Sequence, residues 1–451
     1  MKRINVLDYG LKGDGSLETK SLQKIIDLYS KPDNVIYFPF GSYVLSTIHL
    51  RDDTHLYFEK GVMILGSENF DDYERDEKVD YPLYQDASHS FFHCSLFLGE
   101  NVKNVSLEGD ATIDMRSVWD EENVRNMVHR GAKCVALKEC ENVSIKGLTI
   151  LHATDLAIYF AGCDNVEIDG IKMRVYIDGI SPDNSKRVHI SNCNVLSGDD
   201  GIVFKSSYSL NRLDFCKDIE VKNCTISSRC NAIKFGTESN GGFYDIDIHD
   251  IDIRNTRITG VSIESVDGGI IDNIKISNIK MTNVNAPLFI HLGKRLRGPK
   301  GRGVGAIKNI YISNITATGP YEPYQSIAWN YDSFKKGDSF QDPKVFGVAE
   351  NISIKENDEK EPWQFTSNVC GLKERHLENI SLSNIHMELD GGVMNYEREV
   401  RETAYEYPEV YVYGKVLPAS GIYFRYVNDL MLKDVEIKTI HKDLREAIVV
   451  D

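Results

Sequence analysis

Four segments between Ile177 and Ser265 share one pattern: Asp178-Gly179-Ile180, Asp200-Gly201-Ile202-Val203-Phe204-Lys205, Asn231-Ala232-Ile233-Lys234-Phe235-Gly236 and Thr259-Gly260-Val261-Ser262-Ile263-Glu264. A polar residue, a small one and alternating apolar positions return every 22 to 31 residues. Period-2 alternation inside a repeat of that length describes short strands wound into a solenoid. Successive coils of such a stack lie roughly 4.8 Å apart. Equivalent positions then form vertical columns on one wall, and residues remote in sequence become neighbours.

The repeat runs well beyond these four segments. A nine-residue formula, Asn-Val-Ser-Ile-Lys-Gly-Leu-Thr-Ile in the copy from Asn142, recurs from Asn165, Arg187, Asp218, Asp245, Asn273, Asn309 and Asn379. A looser copy begins at Asp429. Each copy reads as strand, tight turn, strand. Asparagine at such turns tolerates the left-handed conformation and can hydrogen-bond along the stack. Between Thr19 and Tyr29, Leu22, Ile25, Ile26 and Tyr29 fall on one helical face. A helix over about residues 16–30 would cap the open first coil. Two stretches break the rhythm, 70–126 and 319–341, and both read as loop insertions. The second holds Tyr321, Tyr324, Trp329 and Tyr331, which suit either sugar stacking or an aromatic satellite core. The expectation is an all-β parallel solenoid with an N-terminal capping helix, one domain over 1–451.

Composition narrows the partners. The apolar share of 41% supports a continuous core, while no run approaches the roughly 20 apolar residues of a membrane span. A formal charge of −16 argues against nucleic acid and anionic membrane. The nine cysteines are scattered singly without metal-ligand spacing, so they read as small core residues, reduced, in a cytoplasmic setting. The opening Met1-Lys2-Arg3-Ile4-Asn5 has no apolar signal core, in keeping with that setting. No cofactor and no metal is expected, and the oligomeric state is left open.

Aligning the copies places Ile202, Phe204, Ile233, Phe235, Val261 and Ile263 inward. The intervening residues then form outward columns, Val203/Lys234/Ser262 and Lys205/Gly236/Glu264. Asp178 and Asp200 stack one coil apart, and Asp199 lies beside them on the bend supplied by Ser197-Gly198. Carboxylates so close cannot all ionise freely, because like charges raise at least one pKa. Glycoside cleavage needs that division between one proton donor and another carboxylate that activates water or attacks the sugar. A calcium site or a solvated turn are the plain alternatives.

At these residues the chain resembles glycoside hydrolase family 28, the polygalacturonases and their relatives. The resemblance rests on Asp8-Tyr9-Gly10-Leu11-Lys12-Gly13-Asp14-Gly15, the run from Tyr37 to Tyr43, Gly61 to Gly66, and above all Asp178-Gly179-Ile180-Ser181-Pro182-Asp183 followed by Ser197-Gly198-Asp199-Asp200-Gly201. It implies a right-handed parallel β-helix and inversion of the anomeric centre. By that analogy Asp199 is the general acid, and Asp178 with Asp200 hold the attacking water. Three positions depart from the family. Its Asn-Thr before the first aspartate is here Tyr176-Ile177, and its Gly-His-Gly falls on Cys230-Asn231-Ala232. Its galacturonate-gripping Arg-Ile-Lys falls on Ser262-Ile263-Glu264. A glutamate in place of that lysine repels a substrate carboxylate, so polygalacturonase specificity is not expected.

Substrate contacts are sought instead at Asn231, Lys234, Glu238, Arg257 and Glu264, with Lys205 and His152 as further candidates. Lys234 reads equally as neutralising the acids, Lys205 with Glu264 as a surface ion pair, and His152 as structural; Arg295 is placed where a later coil could reach the cleft. The function expected is an exo-acting, inverting glycoside hydrolase acting on an oligosaccharide from plant or host glycans. The rivals are a polysaccharide lyase acting on uronate-containing glycans and a non-catalytic carbohydrate-binding solenoid.

Overall fold

The nine-residue formula folds as two short strands in the copies from Asn142 to Asp218 and as one continuous strand in those from Asp245 onward, and left-handed corners explain its asparagines. Asn104, Asn142 and Asn165 hold φ values of 57°, 57° and 56°, the left-handed region that asparagine tolerates best among residues with a side chain. Their amides form a ladder along the stack: Asn142 Nδ2 donates to Asn104 Oδ1 at 3.0 Å, and Asn165 Nδ2 to Asn142 Oδ1 at 2.8 Å. A second ladder joins Asn278, Asn314 and Asn384 at 2.9 and 2.8 Å. The structure, a computed structural model, describes residues 2–85, 87–120, 130–319, 321, 364–414 and 416–451.

The chain divides into two compact units, Met1–Ser197 with Ser207–Glu220, and Gly198–Ser206 with Val221–Asp451. In the first, three parallel ladders rise side by side. One runs from Lys2–Asn5 through Lys103–Gly109, Glu141–Lys146 and Asp164–Asp169 to Lys186–Ser191. Another ends at Asn194–Ser197, and the third, from Ile48–His49, at Ile180–Asp183. The helix Thr19–Tyr29 buries Leu22, Ile25 and Ile26. Its Gln23 amide pairs with the main chain of His49 at 2.9 and 2.8 Å, so the helix satisfies an edge that would otherwise lie open.

In the second unit, Ile246, Ile274, Ile310, Ile380 and Leu430 lie in register over five coils. Ile202, Ile233 and Val261 align likewise, as do Phe204, Phe235 and Ile263; all six are buried, as the inward assignment requires. None of the nine cysteines is in a disulfide, and eight are buried. Among the described residues no helix is long and apolar enough to cross a membrane.

The expected insertion at 70–126 is shorter than the broken rhythm suggests. Ser95–Glu100, Lys103–Gly109 and Thr112–Asp114 form a full coil. Ser95–Gly99 is buried on both faces, which erases the alternation that marks a half-exposed strand. Of the 319–341 stretch only Gly319 and Tyr321 are described, with Tyr321 buried; Tyr324, Trp329 and Tyr331 lie outside the described residues.

Candidate active site

The Asp199-Asp200-Gly201 bend is held by its own backbone and by the following coil. Ser228 Oγ donates to the Asp199 carbonyl at 2.5 Å, and Gly201 N–H donates to the Asn231 carbonyl at 2.8 Å. A Cβ at Gly201 would lie 2.6 Å from the Ala232 carbonyl oxygen, so only glycine fits. The Asp200 carboxylate accepts from Asn231 N–H at 3.1 Å and from Asn231 Nδ2 at 2.8 Å. Lys234 Nζ stands 3.4 Å from the same carboxylate and 3.8 Å from Glu264. Ser262 Oγ donates to Glu264 Oε1 at 2.6 Å.

The register confirms the column Val203/Lys234/Ser262. Burial works against the charge on Lys234, but Asp200 and then Glu264 hold its ammonium well above the usual lysine range. Burial pushes the Glu264 carboxyl up, with Lys234 pulling in the opposite direction.

A neighbouring ion-pair group lies on the same wall. Lys205 Nζ stands 3.1 Å from Glu238, and Arg295 binds Asp267 through Nε at 3.0 Å while lying 3.6 Å from Glu238. This corrects the expected surface pair of Lys205 with Glu264. The ladder shifts register between Phe204 and Ser206, which breaks the Lys205/Gly236/Glu264 column and turns Lys205 to Glu238. Nor is this wall exposed: Lys205, Lys234, Glu238 and Glu264 are all buried.

The cover is a segment that the sequence reading passed over, Arg401 to Tyr413. Thr237 Oγ1 donates to Tyr407 OH at 3.1 Å, and the Tyr407 ring lies 6.0 Å from both the Lys234 ammonium and the Arg295 guanidinium. Val410, Val412 and Tyr413 pack into a cluster with Phe289, Cys370 and Tyr423. Glu409 enters the acid group from this segment; burial, with Glu264, Asp200 and Asp199 nearby, pushes its carboxyl up to about 8. Its Oε2 is buried with no hydrogen-bond partner, as is Glu264 Oε2. The signal was present: Ala404-Tyr405-Glu406-Tyr407-Pro408-Glu409 is aromatic, acidic and outside the repeat, the criterion that marked 319–341.

The remaining candidates stand apart from these pairs. Arg257 is exposed, with Tyr321 and Tyr411 in its electrostatic surroundings. In the first unit, His152 Nδ1 hydrogen-bonds the Asp114 carboxylate at 2.8 Å and its ring lies 6.4 Å from Tyr176, in keeping with the structural reading. Tyr176, where the family has asparagine, hydrogen-bonds Ser117 at 2.8 Å. Asp178 is buried, with its Oδ2 4.0 Å from His89 Nε2. His89 is a second residue the sequence reading missed. Asp183, five residues on, is tied down by Tyr159, Ser207 and Ser209 and reads as scaffold.

Neighbouring carboxylates on parallel β-coils are groups of the kind that glycoside cleavage uses, and comparison with known proteins makes the class specific. The profile of Glycosyl hydrolases family 28 matches residues 41–336. A probable polygalacturonase of Vitis vinifera is 24% identical over 409 residues, covering 85% of this chain and 74% of its own. An exo-poly-alpha-D-galacturonosidase of Dickeya chrysanthemi is 24% identical over 253 residues, 45% of this chain and 42% of its own. Among solved structures, the exopolygalacturonase of Thermotoga maritima superposes with a TM-score of 0.70 at 17% identity, over 97% of this chain and 92% of that one; that likeness establishes the fold, a right-handed parallel β-helix. The chain belongs to glycosyl hydrolase family 28 and is a glycosidase.

Proposed function

We propose that this glycosidase is an exo-acting, inverting hydrolase of pectic oligosaccharides whose reacting sugar carries no free carboxylate. One observation carries the substrate part. The three cations of the second unit's wall are each committed to its carboxylates, Lys234 to Asp200 and Glu264, Lys205 to Glu238, Arg295 to Asp267. A uronate would meet a wall on which acids outnumber bases, and a charge so buried needs a partner. Pectic material is suggested by the relatives named as polygalacturonases, and exo-action by those whose names state it.

The family resemblance gives the roles. Asp199 protonates the leaving oxygen, while Asp178 and Asp200 orient and deprotonate the water that attacks from the opposite face. Asn231 fixes Asp200 through two donors, and Lys234 balances its charge. A covalent intermediate is not needed.

The test compares wild type and Asp199→Asn on free and methyl-esterified oligogalacturonides. Products are followed by mass spectrometry, ultraviolet absorbance and the NMR signal of the first-formed anomer. The expected result is release of an esterified monosaccharide with inverted configuration, reduced roughly 10²–10⁴-fold in Asp199→Asn. Preference for the free acid would overturn the reading of Ser262 and Glu264. An unsaturated, ultraviolet-absorbing product would overturn hydrolysis itself.

A further inference from the structure

The segment that covers the acid wall also builds a cavity that the proposed chemistry does not use. It measures about 330 Å³ and is lined by Leu372, Lys373, Glu374, Glu402, Tyr405 and Glu406 among others, a volume at the small-ligand end of the usual range. Its walls are locked. Glu374 pairs with Lys294, which also lies 5.8 Å from the Tyr405 ring. Glu402 accepts from Arg425 at 2.6 Å and from Tyr426 OH at 2.7 Å. Glu406 accepts from the main-chain N–H groups of Ala404 and Tyr405, both at 3.1 Å, and from Thr403 Oγ1.

Among the lining residues Tyr405 offers the large apolar face, and it is 72% exposed. A tyrosine presents a large, rigid apolar face at low entropic cost. Carboxylates already holding one donor keep lone pairs for others. A flat aromatic face beside fixed acceptors is a receptor for a polyhydroxylated ring, whose C–H face stacks while its hydroxyls donate. Three carboxylates against Lys373 and Lys294 leave the cavity acid-rich, which disfavours an anionic sugar. The two lysines disfavour a metal ion.

The cavity is connected to the acids through a short stretch of chain. Tyr407 reaches Lys234, which contacts Asp200; Tyr405 is two residues earlier, at most ~7 Å of extended backbone. We propose that this cavity is a distal subsite for a neutral sugar residue of the same oligosaccharide whose terminal bond is cleaved. The inference rests on the hydrolase reading above and adds a chain-length requirement to it.

The experiment measures kcat/KM for wild type, Tyr405→Ala and Tyr405→Phe on methyl-esterified digalacturonide and hexagalacturonide. Binding of both is followed in parallel by saturation-transfer NMR. Circular dichroism confirms folding, which so exposed a side chain should not affect. Tyr405→Ala is expected to lose about 3- to 10-fold more on the hexasaccharide than on the disaccharide, through KM rather than kcat. Tyr405→Phe keeps the face and should stay close to wild type. Equal losses on the two lengths, or a hexasaccharide that does not bind wild type, would overturn the subsite. Hexasaccharide binding that needs Tyr405, with no turnover by wild type, would sink the hydrolase reading and leave the subsite standing.

Discussion

Lys234 is the residue on which the wall's charge balance depends, and its removal gives the most direct test of the ion-pair reasoning. Its ammonium lies 3.4 Å from Asp200 and 3.8 Å from Glu264, and all three side chains are at most 5% exposed. Lys234→Met keeps the volume and deletes the charge, leaving two buried carboxylates facing each other. Breaking a buried pair in this way costs about 3–5 kcal/mol. In a solenoid the loss stays near its own coils, so a global melting temperature is a blunt readout. Hydrogen exchange is sharper. Protection in Asn231–Ser239 and the second half of Gly242–Ser265 should fall roughly 10²- to 10⁴-fold, while Leu377–Gly391 keeps its rate.

The pH dependence has a definite sign. Burial already raises the Glu264 carboxyl, and removing Lys234 raises it further. A group whose folded pKa lies above its unfolded value stabilises fully below the unfolded value, about 4.3 for glutamate, and loses that contribution as pH rises. The penalty in Lys234→Met should therefore be small near pH 4 and grow toward neutrality. Adding Glu264→Gln removes one of the two facing charges and should recover about 1–3 kcal/mol of coupling. If Lys234→Met exchanged like wild type at pH 7, or if Glu264→Gln brought no recovery, Lys234 would not be the neutralising group inferred here.

Three further outcomes follow from the same structure. Glu409, pushed up to about 8 by burial and its acidic neighbours, should make stability fall between about pH 4.5 and 8; Glu409→Gln should flatten that decline in urea-unfolding midpoints, and an unchanged slope would remove Glu409 from the acid group. Gly201→Ala puts a methyl 2.6 Å from the Ala232 carbonyl oxygen; it should cost about 1–3 kcal/mol and lower kcat by displacing both aspartates, so a fully active variant would count against the bend. Asn142→Ala loses two ladder bonds and strains a φ of 57°, about 1–2 kcal/mol for the strain alone. Asn142→Gly should lose only the bonds, and equal unfolding midpoints for the two would contradict the conformational explanation.

What the sequence reveals depends on how locally each feature is encoded. The coils were legible because a half-exposed strand must alternate and a left-handed turn must hold asparagine, aspartate or glycine. The register of Lys234 with Ser262 followed from that alternation alone. Ser95–Gly99 was missed because burial on both faces leaves nothing to alternate. The Lys205 pairing failed at a register shift, where two extra residues in the partner strand bring Glu238 rather than Glu264 to the side chain. His89 and Glu409 approach the acids from segments outside the repeat, and no spacing rule relates such segments to a column.

That last difference bears on how specificity is built. Repeat columns fix where the candidate carboxylates stand, as Asp200 is fixed by its two bonds from Asn231 on the next coil. Ser262 and Glu264, which the resemblance aligns with the family's galacturonate-gripping motif, are buried here and serve the interior charge balance instead. With the wall occupied in that way, groups that read the sugar must come from whatever lies over it. Tyr405, Tyr407 and Tyr411 are exposed to 72%, 55% and 41% on that covering segment, and they present aromatic faces where the wall presents none. A loop outside the repeat can change without disturbing the register of any coil, since few ladder bonds depend on it. Substrate choice in this chain is therefore expected to move with substitutions between Glu402 and Tyr411, while substitutions in the repeat columns move stability and catalysis together.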